Sequence, residues 1–537
     1  MTISEKISAL RRECGMSQDE LAEKLDVSRQ SVSKWESGKT LPDSDKVLAL
    51  AELFGVSTDF LLRDTEEFAA AEEVTEPVTE PVAEPVVQAV SILWQEPEKI
   101  KADKKKNTKK VIAFVAAACL IIAAIIPIPT GLYQKAFDAI TEDPVEYPYI
   151  LVHGLGGWGA EAQINEMSPY WGSTTGSLVE YLAGEGHTAY EASVGPFSST
   201  WDRACELYAQ LAGTTVDYGE AHSKAHGHER YGREYTTQLA PGWGTKTEGG
   251  QLIKANLVGH SFGGATVRML ASLLEYGDEA EVEASGENVS ELFKGGKGDY
   301  INSVTALCAP HNGSTLFYVI DQYKVVDLAM DIVKLGGSLT QNNAVGDFYD
   351  FRLEHFGVDS ATADMNTVVN TVFSQGTDNA AYDLSPDGAA EVNKKIKLVD
   401  SVYYFSYAYS TTNTSSLTGN QVPDLSSTLA ILIPTATLMG RYSVNTVSDF
   451  PIDSTWLEND GLVNVVSAKN PTGDDWQDYD AENIARGKWN VMPVKRGHHG
   501  TVIGLSADTQ ETHDFYLELI NMIDSRPRDK KFYFKGF

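Results

Sequence analysis

The apolar positions of this chain fall into distinct regimes along its length. Over residues 1–64, Ile3, Ile7 and Leu10 recur at helical spacing and stop at Cys14-Gly15. The run "MSQDELAEKLDV" opens a second helix, with Ser17 as N-cap and Glu20 three positions on, a capping box that satisfies two backbone N–H groups. "SRQSVSKWESG" is a third helix closed by Gly38, and "SDKVLALAELFGVSTDFLL" supplies the rest. Short amphipathic helices joined by tight turns make a helix-turn-helix. That period vanishes over residues 65–110, where "TEPVTEPVAEPVV" repeats Glu-Pro-Val three times at a spacing of four. Proline at that density favours extended polyproline II, so this is an acidic spacer. Residues 111–126 are then apolar without a break, and "PIPTGLY" extends the run to residue 133. A bilayer core takes about 20 apolar residues in a helix, so residues 111–133 are expected to form a transmembrane helix. From residue 146 to 537, strand-like and helix-like runs alternate, as in an α/β sheet protein.

Charge orients the expected span. Lys101, Lys104, Lys105, Lys106, Lys109 and Lys110 precede it, whereas Lys135 is outnumbered by Asp138, Glu142, Asp143 and Glu146 after it. The positive-inside rule puts the N-terminus in the cytoplasm and everything beyond residue 133 outside. A cleavable signal peptide would sit at the extreme N-terminus, so the segment reads as an anchor. The length of 537 residues implies several units, and the net charge of -32 excludes nucleic-acid binding along the whole surface. Any such contact is local. Cysteines 14, 119, 205 and 308 are too few and too scattered for a disulfide framework and read as thiols. A Cys205–Cys308 bridge is the one pairing left open.

The chemistry concentrates beyond the span. "YPYILVHGLGGWG" is a strand entering a glycine-rich turn. In "IKANLVGHSFGGATVRMLASLL" a strand over residues 253–258 meets Gly259-His260-Ser261-Phe262-Gly263 and a helix begins at once. This is G-x-S-x-G in its strand–turn–helix context, with Ser261 as nucleophile and no room for side chains at 259 and 263. A serine hydroxyl needs a base, and the base an orienting acid, in the order Ser, Asp or Glu, His. "WLENDGLVNVVSA" offers Asp460 in a polar turn before an expected apolar strand, and "VKRGHHGTVIGL" offers His498 and His499. "DYGEAHSKAHGHER" holds His222, His226 and His228, with Asp202 upstream in "WDRACE". That density suggests a divalent metal, although surface histidines on a polar loop fit the local sequence equally well.

Two resemblances sharpen these readings. Residues 1–64, from "MSQDELAEKL" through "VSRQSVSKWESGKTLPD", resemble the Cro/phage-repressor family. The resemblance implies a recognition helix over residues 28–35, DNA contacts from Gln18, Arg29, Gln30, Ser31 and Lys34, and a DNA partner, with dimerisation or protein docking as the alternative. The region from residue 147 onward resembles the zinc-containing bacterial lipases of thermophilic bacilli and staphylococci. It does so through "HGLGGWG", "VGPFSSTWDRACELYAQLAGTTVDYGEAH", "HGHERYGR", "GHSFGG", "APHNGST", "AYDLSPDGA", "SLTGN" and "WLENDGLVN". It implies an α/β-hydrolase with a zinc-bound insertion, and a triad of Ser261, Asp460 and His499 in preference to His498. It further implies an oxyanion hole from the backbone N–H groups of Leu155 and Phe262, and structural zinc on Asp202, His222, His228 and Asp383, with His226 a bystander. The family's calcium carboxylates fall here on Thr501 and Ser506, with Asp508 nearby, so calcium dependence is expected to be weak or absent. "YKVVDLAMDIVKLGG", with Lys324, Asp327, Asp331 and Lys334 at helical spacing, sits where the family has its lid, and also fits an ordinary amphipathic helix.

The sequence therefore leads to a membrane-anchored, extracytoplasmic lipase or carboxylesterase acting on triacylglycerol-like esters, with a cytoplasmic helix-turn-helix head. The alternatives are a membrane-bound transcription regulator whose lipase-like outer domain senses lipid, and an anchoring protein whose head docks cytoplasmic partners.

Overall fold

A computed structural model describes residues 145–323 (save 249), 349–359, 376–442 and 452–526, and in the N-terminal part 3–13, 18, 21–22, 27–36 and scattered positions up to Leu50. The chain divides into two units, Met1–Ile122 and Ala123–Phe537. The expected span at residues 111–133, the spacer and the lid segment at residues 324–334 lie outside the described residues. Among the described residues, no helix is long and apolar enough to cross a membrane.

In the first unit, α1 (Ile3–Glu13) and α2 (Arg29–Glu36) pack around buried Ile7, Leu21, Val32, Trp35 and Leu50. The expected recognition helix begins one residue late because Ser28 serves as its cap, its Oγ accepting the N–H of Ser31 at 3.2 Å. Glu36, at the far end of α2, draws in Arg11 and accepts from the Gln18 amide at 2.8 Å.

The second unit is built on a seven-stranded parallel sheet of β1 (Tyr149–Val152), β2 (Ala189–Ala192), β3 (Ala255–His260), β4 (Ile301–Leu307), β5 (Tyr403–Tyr407), β6 (Trp476–Asp478) and β7 (Trp489–Val491). Its order is β6-β7-β5-β4-β3-β1-β2. Every residue of β1, β3 and β4 is buried, as parallel strands covered on both faces must be. One face packs against α3 (Thr200–Ala212) and α5 (Phe262–Tyr276) through Trp201, Leu207, Val267 and Leu270. The other packs against α8 (Thr509–Asp524) through Phe515, Tyr516 and Leu519.

Two local expectations are corrected. Strand β3 covers Ala255–His260 rather than 253–258, because Ile253 pairs back with Thr245 while Gly259 and His260 remain in register with Ala306 and Leu307. The apolar run after Asp460 is a short helix, Val465–Lys469, not a strand. Its Ser467 hydroxyl donates to Gly313 and accepts from Asn312, which holds the segment as a turn of helix against the loop after β4. Cys205 and Cys308 are both buried free thiols, so the bridge between them does not form.

Candidate active site and metal cluster

Strand β3 carries Ser261 out at the carboxyl edge of the sheet, where open α/β sheets bind their ligands. Ser261 has φ 54° and ψ -126°, a conformation that L-residues avoid. Surrounding bonds hold it there: its N–H donates to Leu307 at 2.8 Å and its carbonyl accepts from Gly264 at 2.9 Å. A Cβ on Gly259 would lie 2.3 Å from the Gly263 carbonyl, and one on Gly263 2.2 Å from that of Val152. Both glycines are thus required by close backbone approach. Val152 pairs with Gly259 across β1 and β3, so the His153-Gly154-Leu155 turn emerges beside the serine.

His499 and Asp460 arrive from the far end of the chain. The His499 ring Nδ1 lies 2.8 Å from Asp460 Oδ2, and the His499 N–H donates to the Asp460 carbonyl at 2.9 Å. Asp460 Oδ1 is occupied by the N–H groups of Leu462 and Val463, at 2.9 and 2.7 Å. Ser261 and His499 line one cleft, of about 930 Å³ including its open mouth, with Leu155, Leu316, Phe317, Leu429 and Leu432. The neighbouring His498 has a different use. Its N–H donates to Thr501 Oγ1, its Nδ1 accepts from Gly500, and burial lowers its pKa to about 4. Phe262 opens α5, where the first N–H groups have no intrahelical partner, and Leu155 borders the cleft opposite.

Sequence reasoning missed several residues that hold this arrangement. His260, inside the G-x-S-x-G, is buried between Tyr170 and the His499 loop. Arg203 is fully buried under the site: it donates to the carbonyls of Gly195 and His153 and to Thr266, and its guanidinium lies 4.8 Å from the Phe262 ring centroid. Burial brings its pKa down to about 10, so it stays charged at neutral pH. Nothing in the local sequence singles out Arg203 or Tyr170.

The candidate ligand cluster comes together, with one member of the expected set exchanged. Asp202, His222, His228 and Asp378 place one ligand atom each within 4.8 Å of all the others. His222 Nε2 is 3.1 Å from Asp202 Oδ1 and 3.4 Å from Asp378 Oδ2; His228 Nε2 is 3.3 Å from Asp378 Oδ2. Asp383 is not among them. Its carboxylate accepts the Thr200 N–H at 2.6 Å, and burial pushes its pKa up to about 7. Asn379 caps the short helix α7 (Ala380–Asp383), which puts Asp378 before the helix facing the histidines and Asp383 at its end facing α3. That capping asparagine is the signal that separates the two aspartates. His228 Nε2 and Asp378 Oδ2, both buried, make no well-aligned hydrogen bond and face each other and His222, as expected of atoms meant for a cation. Two neutral imidazoles and two carboxylates match a divalent ion in charge and number. His355, unanticipated, sets its Nε2 3.3 Å from the other oxygen of Asp202, and His226 is exposed beside the cluster. Thr501 opens a 3-10 turn, Ser506 is exposed and Asp508 caps α8.

Residues 145–526 match the family model described as "Lipase-like, C-terminal domain". The chain belongs to this lipase-like family. Its relatives include a lipase of Staphylococcus epidermidis, 35% identical over 378 residues that cover 68% of this chain and 51% of the relative. Lipase 1 of Staphylococcus aureus is 33% identical over 387 residues, 69% of this chain and 53% of the relative. The chain thus spans about half the length of the curated relatives it matches. Among solved structures, EstA from Clostridium botulinum superposes with a TM-score of 0.65 at 35% identity, covering 73% of this chain and 91% of that one. Lipase 1 from Pelosinus fermentans gives a TM-score of 0.62 at 37% identity, covering 71% and 100%. In the N-terminal unit, residues 7–61 match a helix-turn-helix model, so this lipase-like chain carries a helix-turn-helix domain ahead of its α/β domain. On α2, Arg29, Gln30 and Lys34 are exposed and Ser31 is half-buried, while Gln18 is engaged with Glu36.

Proposed function

We propose that this chain hydrolyses carboxylic esters of fatty acyl groups, triacylglycerol-like lipids among them, through Ser261, His499 and Asp460. The observation that carries the reading is the 2.8 Å contact between His499 Nδ1 and Asp460 Oδ2 on the same cleft as the strained Ser261. Ser261 Oγ attacks the ester carbonyl carbon while His499 Nε2 takes its proton, and Asp460 stabilises the imidazolium that forms. The oxyanion accepts the N–H groups of Leu155 and Phe262, at the positive end of α5. Collapse expels the alcohol, protonated by His499, and water then releases the acid by the same steps. The leucine-rich wall of the cleft suits an acyl chain.

The Asp202–His222–His228–Asp378 cluster takes zinc in this reading. Four protein ligands would leave a bound ion no open position, so Asp202, His222, His228 and Asp378 would hold it to tie the helix of His222 to α3, outside turnover. Residues 111–133 anchor the enzyme in a membrane with the hydrolase outside, supported by the lysines before them and the acids after. The helix-turn-helix binds DNA inside through the exposed face of α2.

The test is hydrolysis of fatty-acyl esters of graded chain length by the full chain in detergent, beside Ser261→Ala. Turnover that survives in the variant would refute the assignment. Protease added to intact cells tests the topology: a protected hydrolase region is incompatible with it.

A further inference from the structure

The catalytic Asp–His pair has a third neighbour that ester hydrolysis does not use. Cys308 follows β4 at φ 51°, held there by its N–H bond to the Tyr407 carbonyl at 2.8 Å. Its side chain is a buried free thiol that hydrogen-bonds the Asp460 carboxylate. The Cys308 sulfur, an Asp460 oxygen and a His499 ring nitrogen all lie within 4.8 Å of one another. Asp460 Oδ1 is taken by two backbone N–H groups, so a third partner must share Oδ2 and the His499 Nδ1 that faces it at 2.8 Å. Sulfur, imidazole nitrogen and carboxylate oxygen form a donor set for a borderline or soft divalent cation, and His499 opens the fourth corner to the cleft.

We propose that Cys308, Asp460 and His499 form an inhibitory site for a thiophilic divalent cation such as zinc or cadmium, distinct from the cluster at Asp202. The inference rests on the triad assigned above. On binding, the cation sheds water, the thiol proton of Cys308 passes to solvent, and the His499 proton moves from Nδ1 to Nε2, so the ring stays neutral. The sulfur, Nδ1 and Oδ2 then bond the metal, with no change of oxidation state. The consequence for turnover is the loss of the general base's lone pair. In the metal-free enzyme, the proton that Nε2 takes from Ser261 makes an imidazolium facing a carboxylate. With a cation on Nδ1, Nε2 already carries the ring's proton and has no lone pair to accept that of Ser261, and the carboxylate is neutralised by the metal. The base is therefore silenced without any movement of Ser261. Burial raises the Cys308 pKa well above its ordinary value, so the uncomplexed residue is a neutral thiol and leaves the triad undisturbed.

The test uses the full chain in detergent, stripped with chelator and reloaded with one equivalent of zinc. Cadmium is then titrated while ester hydrolysis and the ultraviolet thiolate-to-cadmium charge-transfer band are followed together. Activity is expected to fall as the band rises, with one cadmium bound, and to return when chelator is added. Cys308→Ala, and Cys308→Ser should the first variant not fold, are each compared with their own cadmium-free rate. Loss of a ligand should raise the half-inhibiting cadmium concentration by at least about tenfold and remove the band. Equal inhibition of wild type and variant, or inhibition without the band, would overturn the proposal. A chain that shows the Cys308-dependent band yet hydrolyses no ester would instead refute the triad reading.

Discussion

His260 Nε2 lies 3.0 Å from the carbonyl oxygen of His499, and this contact sets the direction of a chain of hydrogen bonds. A carbonyl only accepts, so Nε2 carries the proton. Burial holds His260 well below its ordinary pKa, so the ring is neutral and its Nδ1 accepts. The donor at Nδ1 is the Tyr170 hydroxyl at 2.6 Å, whose oxygen in turn accepts the Gly154 N–H at 2.9 Å. The loop of Leu155 and the loop of His499 are thereby joined through the residue next to Ser261.

Tyr170→Phe should therefore impair catalysis without touching the triad. It leaves the Gly154 N–H and His260 Nδ1 buried without partners, at about 1–3 kcal/mol each. A fall of roughly tenfold to hundredfold in kcat, with KM for a short soluble ester nearly unchanged, is the expected result. An unchanged kcat in the folded variant would show that the chain of bonds has no role in positioning.

The two adjacent histidines are separated by substitution. His499→Ala should abolish turnover as completely as Ser261→Ala, since the two act as a unit. His498→Ala should retain measurable turnover with lower thermal stability. Steady-state rates on one ester decide it; the reverse pattern would move the base to His498.

Asp378 and Asp383 make opposite predictions. Asp378→Ala should abolish tight zinc binding and lower the melting temperature by about 5 °C or more. Asp383→Asn should keep one zinc per chain, because an amide oxygen can still accept the Thr200 N–H. Elemental analysis of the two purified variants gives the answer directly.

These outcomes track how legible the site was. The elbow was readable because G-x-S-x-G between a buried strand and a helix leaves few alternatives for Ser261. The order of acid and base, aided by the family resemblance, gave Asp460 and His499. The resemblance points to Asp383 where the structure brings Asp378 to the histidines, because two aspartates five positions apart in "TDNAAYD" differ only in which side of a helix cap they occupy, and the cap is a property of the folded backbone. The helix at Val465–Lys469 was hidden because an apolar pair reads alike in a buried strand and in a short helix pinned by side chains. Tyr170 and Arg203 act through contacts far away in sequence, Tyr170 to His260 and Arg203 to His153. No local pattern announces such contacts.

Acid should weaken the fold partly through His498. Burial lowers its pKa from 6.5 to about 4, below its value in the unfolded chain. Its contribution is thus complete above pH 6.5 and is lost as pH falls toward 4, by at most about 3 kcal/mol. Glu191 and Asp383, which burial raises to about 7, act in the opposite sense, lending stability in acid that is lost as pH rises through 7. Denaturant midpoints of wild type and His498→Gln between pH 7 and 4 isolate the histidine, and a parallel decline in both would discount it.

In the helix-turn-helix, Lys34→Ala should weaken operator and non-specific DNA alike and reduce the slope of binding against salt by about one ion. Gln30→Ala should instead lower discrimination between sequences. Binding by the full chain in detergent, measured at several salt concentrations, separates the two effects.

Asp202 and Arg203 are consecutive residues serving different masters. One helical step turns a side chain by about 100°, enough to aim the carboxylate at the histidine cluster and the guanidinium at the carbonyl beneath the Leu155 turn. Loss of the zinc proposed at Asp202 on warming should thus be felt at the proposed oxyanion donors through the very next peptide unit. Ageing of the zinc-loaded protein should accordingly run on a single clock. Depleting free zinc in the cold and heating in its presence should spoil the protein by the same route, and zinc in the surroundings, rather than temperature alone, should set how long it works.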